Sequence, residues 1–399
     1  MKRKIFTVEI NQKIKPFKKQ ISVDPDKSLS IRSFLIGSIC QGVSSVKNTL
    51  ESDDVLSAVA VCKKLGVKIK KIRPKFYRIF GNGLGSFSIK KNTELYFGNS
   101  GTASRLLVGA LSTSPDIQVK LNGDHSLNKR NMKKLIDLME KFGAFFLPKN
   151  KYTFPLKMIS SKLPIGIRYT ADVSAQLKSA VILAGLNSYG NTTIKEHILS
   201  RDHTENLLQD NTQAIKINNK RGKTITVFGK RNLSPFNITV GGDPSSAAFF
   251  VALTLLVKGS SLKIKNVGLN PTRIGFFEIL KKQKENIKFI NKKKRNNEII
   301  GDIVITSCNL KPIHAPASIY PRTTDEYLIL FVIAALTKGV SSFKGISDLA
   351  NKESSRAKEM KKILTQIGIK CKLTSNEMKI FGRGMINASN KKIKLGKLG

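Results

Sequence analysis

The sequence predicts a mixed α and β protein built in two parts, on three observations. At 399 residues with 40% hydrophobic side chains, the chain is too long for one ordinary core and rich enough for two. Short strand-like runs alternate with helical patterns bounded by Gly, Ser, Asn or Asp. Several helices open directly after a small, polar or acidic cluster, and that recurrence suggests a repeated unit.

Residues 167–169, 224–228, 237–240 and 303–306 read as strands, and 104–111, 132–142, 246–256 and 327–336 as helices. The polar openings are Gly98-Asn-Ser-Gly-Thr102, Ser174-Ala-Gln176, Gly241-Gly-Asp-Pro-Ser-Ser246 and Thr323-Thr-Asp-Glu326. Each alone is an ordinary N-cap. Together they would aim backbone N–H groups and positive dipole ends at anions, the makings of a phosphate-binding cleft. The tract 281–297 is charged and nearly free of small residues, which predicts a solvated helix and loop. Gly81-Asn-Gly-Leu-Gly85 lacks the G-x-G-x-x-G spacing and the later acid of a dinucleotide site.

The apolar stretches 247–257 and 327–336 fall short of the roughly 18 to 20 residues needed to cross a bilayer, so they read as core helices. The opening Met1-Lys-Arg-Lys-Ile-Phe-Thr-Val-Glu-Ile lacks the apolar segment of a secretory signal, and a cytoplasmic location is expected. Cysteines at 40, 62, 308 and 371 show no paired spacing, and the four histidines show no metal-site spacing. No metal, no cofactor and no disulfide framework are expected. The formal charge of +43 raises nucleic-acid binding as an option. Its lysines are scattered and interleaved with Asn and Ile, without clustered aromatics to stack bases, so no nucleic-acid partner is expected. A basic field would still gather multiply charged anionic substrates.

Two motifs carry a resemblance: Asp26-Lys-Ser-Leu-Ser-Ile-Arg32 and Gly98-Asn-Ser-Gly-Thr-Ala-Ser-Arg105 resemble the 5-enolpyruvylshikimate-3-phosphate (EPSP) synthase family. Further matches follow in family order: Gly123-Asp-His-Ser-Leu-Asn-Lys-Arg130, Ser174-Ala-Gln-Leu-Lys-Ser-Ala180, Arg201-Asp-His-Thr-Glu205, Gly242-Asp-Pro-Ser-Ser-Ala247, Asp325-Glu326 and Lys352-Glu-Ser-Ser-Arg356. The Ser-Ala-Gln, Arg-Asp-His-Thr-Glu and Asn-Pro-Thr-Arg273 versions are most similar to the bacterial subgroup with glyphosate-tolerant members. The resemblance implies the two-domain enolpyruvyl transferase fold, an inside-out α/β barrel with three βαβαββ units per domain. It implies that 1–24 and 240–399 form the C-terminal-type domain and 25–239 the N-terminal-type domain, with the active site in the cleft between them. It also implies a shikimate-pathway transferase that moves enolpyruvyl from phosphoenolpyruvate to shikimate 3-phosphate, acting as a monomer in the cytoplasm.

The resemblance also implies residue roles. Lys27 is shared by both substrates. Ser28, Arg32, Ser174, Gln176, Arg201, Asp325 and Lys352 contact shikimate 3-phosphate, and Gly101, Arg130, Gln176 and Arg356 contact phosphoenolpyruvate. Asp325 is the base near the 5-hydroxyl, while Lys27 and Glu353 move protons at the enol carbons. Taken singly, Asp325 also reads as a helix cap, and Glu353 with Lys352 or Arg356 as a solvated charge pair.

The sequence departs from the family pattern in places. Leu349-Ala-Asn-Lys-Glu-Ser-Ser-Arg356 replaces a family arginine by Ala350 and a family acid by Ser355. Asp24-Pro25 stands where the family has Pro-Gly, Asn131 replaces the proline after Arg130, and Leu106 stands where many relatives have proline. The final Lys397-Leu-Gly399 falls where the family continues into an Asp-His-Arg motif, which implies a missing end and weakened donor binding. Competing readings are a UDP-N-acetylglucosamine enolpyruvyl transferase, whose loop cysteine has no counterpart here, an RNA-binding or RNA-end-processing protein of related fold, and a noncatalytic truncated relative.

Overall fold

The computed structural model describes residues 12–220, 222–282, 286–351 and 355–384. A β-α-β-α-β-β order runs through it five times. First come β1 (Lys18–Ser22), α1 (Lys27–Ile39), β2 (Gln41–Lys47), α2 (Asp53–Lys64), β3 (Lys68–Arg73) and β4 (Phe76–Asn82). Then follow β5 (Thr93–Tyr96), α3 (Gly101–Ser112), β6 (Gln118–Asn122), the single turn α4 (His125–Asn128), α5 (Lys133–Lys141), β7 (Phe145–Leu147) and β8 (Leu156–Ile159). The third set is β9 (Arg168–Ala171), α6 (Ala175–Leu186), β10 (Asn191–Glu196), α7 (His203–Leu208), β11 (Ile215–Asn218) and β12 (Lys223–Phe228). The fourth is β13 (Asn237–Thr239), α8 (Pro244–Leu256), β14 (Ser261–Gly268), α9 (Gly275–Lys281), β15 (Ile287–Arg295) and β16 (Glu298–Thr306). The fifth is β17 (His314–Ala315), α10 (Tyr327–Ala335), β18 (Gly339–Lys344), α11 (Arg356–Gln366), β19 (Lys370–Leu373) and β20 (Glu377–Gly382).

Each set makes one four-stranded sheet in which the outer first strand runs parallel to the second and the last two are antiparallel. The first and fourth sets exchange their first strands: β1 lies parallel to β14, and β13 lies parallel to β2. The chain therefore passes twice between two hydrophobic cores. One is built from buried residues between Leu29 and Val240, the other from Ala247 to Ile380 with Phe17, Ile21 and Val23 packed against it. Three of the five described sheets surround the first core and two the second.

Helices α1, α3 and α6 are buried on nearly every side, which is the pattern of a helix enclosed by other elements. Their buried hydroxyls do not go unpaired: Ser30, Ser33, Ser38, Ser112 and Ser179 each donate to the carbonyl four residues earlier. Close packing of α3 on α6 needs Gly109, since a Cβ there would lie 2.4 Å from the Ala180 carbonyl oxygen. The helices thus sit inside and the sheets outside. No helix among the described residues is long and apolar enough to cross a membrane, and the two apolar stretches lie in α8 and α10.

The tract 281–297 corrects its expectation. Its residues Ile287–Arg295 form a strand, β15, paired antiparallel with β16. Ile287 is buried and Phe289 packs on the second core, a period-two pattern hidden by the surrounding lysines. Asn296 and Asn297 both take positive φ at the reversal, a conformation Asn tolerates better than most residues. Expected helix starts also move outward, to Gly101 and Pro244, because Ser100 and Asp243 cap one turn earlier than apolar periodicity begins.

Candidate active site

The amino ends of the enclosed helices are joined to one another by their own side chains. Asp26 caps α1, Ser100 caps α3, Ser174 caps α6 and Asp243 caps α8, each accepting a backbone N–H of the first turn. Gln176 at the start of α6 donates to Thr102 of α3 at 3.0 Å and accepts from Arg105 at 2.9 Å. Arg32 of α1 donates through Nε to Thr204 of α7 at 2.9 Å and through Nη2 to Ser179 of α6 at 3.3 Å. Arg273 reaches the caps of both α1 and α8, lying 3.4 Å from Asp26 and 2.9 Å from Asp243. Positive helix ends from both cores therefore meet in one region.

Arg32 is buried, and the hydrogen bonds of its guanidinium go to neutral oxygens: Thr204, Ser179 and the carbonyl of Ser28. Burial, with further contributions from Arg201 and Arg273, pulls it down to about 10 despite the opposing pull of Asp26 and Glu205. That imbalance suits an anionic ligand. Buried Arg273 is shifted the other way: burial opposes its charge, but Asp26 and Asp243 outweigh it and raise its pKa. Burial raises the carboxyls of Asp243 and Glu326, whereas the pull of Arg273 outweighs burial at Asp26 and lowers it.

Gly101, Arg130 and Gln176 form one group at the mouth of α3. Arg130 donates to Asn99, and a Cβ on Gly101 would lie 2.5 Å from Arg130 Nη1 and 2.9 Å from Arg105 Nη1. Asp325, Arg201 and Arg356 form a second group. The Asp325 carboxylate is 35% exposed and lies 2.5 Å from Arg201, 3.6 Å from Arg356 and 3.7 Å from Arg273. It is not a helix cap; Glu326 holds that position on α10, and the carboxylate of Glu326 takes the Ser245 hydroxyl. Lys27 begins α1 with its ammonium 2.7 Å from Asp54 of α2, and Ser28 and Ser174 stand in the first turn of α1 and at the cap of α6. Lys352 and Glu353 lie outside the described residues.

The motif Arg201-Asp-His-Thr-Glu205 spreads its five side chains in different directions. Arg201 takes Asp325, Asp202 accepts from Asn270 at 2.8 Å and Thr272 at 3.1 Å, and His203 Nδ1 meets Glu298 at 2.7 Å. These three cross from the first core to the second. Thr204 serves Arg32, and Glu205 turns inward to Lys178 at 2.8 Å and Lys223 at 2.9 Å. Glu196 completes that cluster, 2.8 Å from Lys178 and bonded to the N–H and hydroxyl of Ser200, the residue before Arg201. Sequence reasoning missed this cluster and the roles of Asn99, Arg105, Thr204 and Arg273. One signal was present, a lysine at 178 inside the otherwise small and apolar helix α6.

Comparison with known proteins agrees with this geometry. A profile of the family described as EPSP synthase (3-phosphoshikimate 1-carboxyvinyltransferase) matches residues 11–397. The 3-phosphoshikimate 1-carboxyvinyltransferase of Novosphingobium aromaticivorans is 38% identical over 373 residues, covering 92% of this chain and 84% of that protein. That of Thermodesulfovibrio yellowstonii is 39% identical over 376 residues, covering 94% and 86%. The solved EPSP synthase of Acinetobacter baumannii superposes with a TM-score of 0.80 at 35% identity, over 93% of this chain and 83% of that one. Capped helix ends facing a cluster of arginines, set in a fold shared with these proteins at this identity, lead to one conclusion: the chain belongs to the EPSP synthase family and has its two-domain enolpyruvyl transferase fold.

Proposed function

We propose that this chain transfers the enolpyruvyl group of phosphoenolpyruvate to the 5-hydroxyl of shikimate 3-phosphate and releases phosphate, as a monomer and without metal, cofactor or nucleic acid in the reaction. One observation carries the reading: Arg32, buried and bonded among the described residues to neutral oxygens, sits where capped helix ends and further arginines converge. Two polyanions brought together need that surplus of positive charge and fixed donors.

A proton adds to the methylene carbon of the donor while the 5-hydroxyl oxygen bonds to the neighbouring carbon. Loss of phosphate and of a methyl proton from the tetrahedral intermediate restores the double bond. Asp325 takes the hydroxyl proton, and its arginine neighbours hold its carboxylate in place. Lys27 and Glu353 move protons at the enol carbons. Lys27, Ser28, Arg32, Ser174, Gln176, Arg201, Asp325 and Lys352 hold shikimate 3-phosphate, whose phosphate suits the planar fork of arginine. Lys27, Gly101, Arg130, Gln176 and Arg356 hold phosphoenolpyruvate. The domains are 25–239 and, discontinuously, 1–24 with 240–399, in keeping with the two cores. Closure of the cleft between them excludes water.

Calorimetric titration with shikimate 3-phosphate tests the assignment. Arg32→Ala and Lys27→Ala are each expected to weaken binding by about tenfold or more, since losing one charge-assisted contact costs roughly 1.5–3 kcal/mol. Parental affinity in both variants rejects the site.

Gly101→Ala tests the donor side. The added methyl meets Arg130 first, so the arginine end must shift, and any ligand packed against Gly101 loses room. The expected result is that the inhibitory concentration of glyphosate rises about tenfold more than the phosphoenolpyruvate KM, a difference of about 1.4 kcal/mol. Equal shifts in both, or inhibition unchanged, refute it.

A further inference from the structure

The sheet β13-β2-β4-β3 buries one face on the first core and shows the other to solvent. Tyr77 and Ile79 of β4 point inward, which turns Phe76, Arg78 and Phe80 outward. Strand register then sets three rows across this outer face. Val43, Phe80 and Lys68 make one, Ser45, Arg78 and Lys70 the next, and Lys47, Phe76 and Arg73 the third. Phe76 and Phe80 are half-buried, although no core lies on their side of the sheet, and the five cations are exposed. Lys47 and Arg73 stand over the Phe76 ring at 5.6 and 5.8 Å, and Lys68 and Lys70 over Phe80 at 5.2 and 5.9 Å. None of the five forms an ion pair among the described residues. The acids beside this sheet are engaged elsewhere, Glu51 with Lys71 at 2.9 Å and Asp24 with Lys75 at 3.7 Å.

We propose that this face binds single-stranded nucleic acid, a second activity separate from the transferase site. Two phenylalanines four residues apart on one strand lie about 13 Å from each other, and each offers a ring face on which an unpaired base can stack. The cations over the rings are on long flexible stems and swing aside to the phosphates as a base stacks, and their lack of acidic partners among the described residues gives the face charge complementarity to a polyanion. A central strand with outward aromatics in a four-stranded sheet is also how known RNA-binding sheets stack bases. The sequence hid this arrangement because the two rings alternate with the buried residues of the same strand. A duplex, with its bases enclosed, cannot use the rings. A lipid surface or an acidic protein would use the cations alone.

The test is fluorescence anisotropy of the full-length chain with short single-stranded oligouridylate and oligothymidylate, a duplex, heparin, and vesicles of anionic phospholipid, each across a salt series. Phe76→Leu with Phe80→Leu is expected to weaken single-strand binding by about tenfold or more while leaving the salt slope unchanged. Lys68→Gln with Lys70→Gln is expected to lower the slope of log affinity against log salt by about 0.7 per cation. Lys288→Gln with Lys293→Gln, on β15, matches that charge loss on another sheet and should leave binding within about twofold of the parent. Tighter binding of the ribo- than the deoxyribo-oligomer, with the same variant pattern, assigns RNA as the partner; the reverse assigns DNA. The proposal fails if the phenylalanine variant binds as the parent does. It also fails if the β15 control loses as much as the lysine variant, or if duplex, heparin or vesicles bind as tightly as the single strands.

Discussion

Asp325→Ala is expected to lower kcat for phosphate release by about 10²- to 10⁴-fold, the range that general acid–base catalysis supplies. Asp325 is the partly exposed carboxylate in a group of arginines, 2.5 Å from Arg201 and 3.6 Å from Arg356. Removing it frees cations that bind substrate, so affinity for shikimate 3-phosphate should hold or rise while turnover falls. That split separates a base from a residue that merely orients its neighbours, for which KM would rise. Asp325→Asn, which keeps shape without basicity, should match the alanine variant. Steady-state kinetics of both variants decides the matter, and a kcat within about tenfold of the parent excludes Asp325 as the base.

The second large effect is on stability. Lys178→Met leaves Glu196 and Glu205 buried, with Lys223 as their remaining cation, and is expected to cost about 3–5 kcal/mol. Burial alone would raise the Glu205 carboxyl, but Lys178 and Lys223 hold it down to about 2. The contribution of that carboxylate is therefore present above its unfolded value near 4.5 and is lost as pH falls toward 2. Calorimetry should show the transition of the first core falling by roughly 6–20 °C at neutral pH, with the second core less affected. Replacing Lys178, Glu196, Glu205 and Lys223 together by apolar residues of similar size should recover much of the loss. A single-variant shift under about 2 °C would show that the cluster is not the tightly coupled, desolvated unit its geometry describes.

The alternation of strands and helices, the helix openings and the Asp26 to Arg32 and Gly98 to Arg105 motifs were legible in the sequence because each is local. Helix α10 is nearly pure hydrocarbon, and α3 announces itself by Ser100 and the apolar run that follows. What was illegible depends on partners far along the chain. Strand β15 reads as a solvated tract until β16 pairs with it, and Arg273 becomes informative only when Asp26 and Asp243 lie beside it. Glu196 and Lys223 look like surface charges in strands of ordinary alternation. Only the burial of Glu196 between Lys178 and Lys223 turns them into a support for the segment carrying Arg201.

The exchange of first strands also sets a timetable for biosynthesis. β1 leaves the ribosome early, yet its register pairs Lys18 with Ser261, and β2 waits for β13 at residue 237 to cover its open edge. At roughly 5–20 residues per second, each nascent edge stays unpaired for about 10 to 50 s. Contact order this high slows folding, and in that window exposed strand edges invite association with neighbouring chains. Lys18 and Lys19 keep the edge of β1 charged, so residues that give the mature protein its basic surface also act as gatekeepers while it is being made.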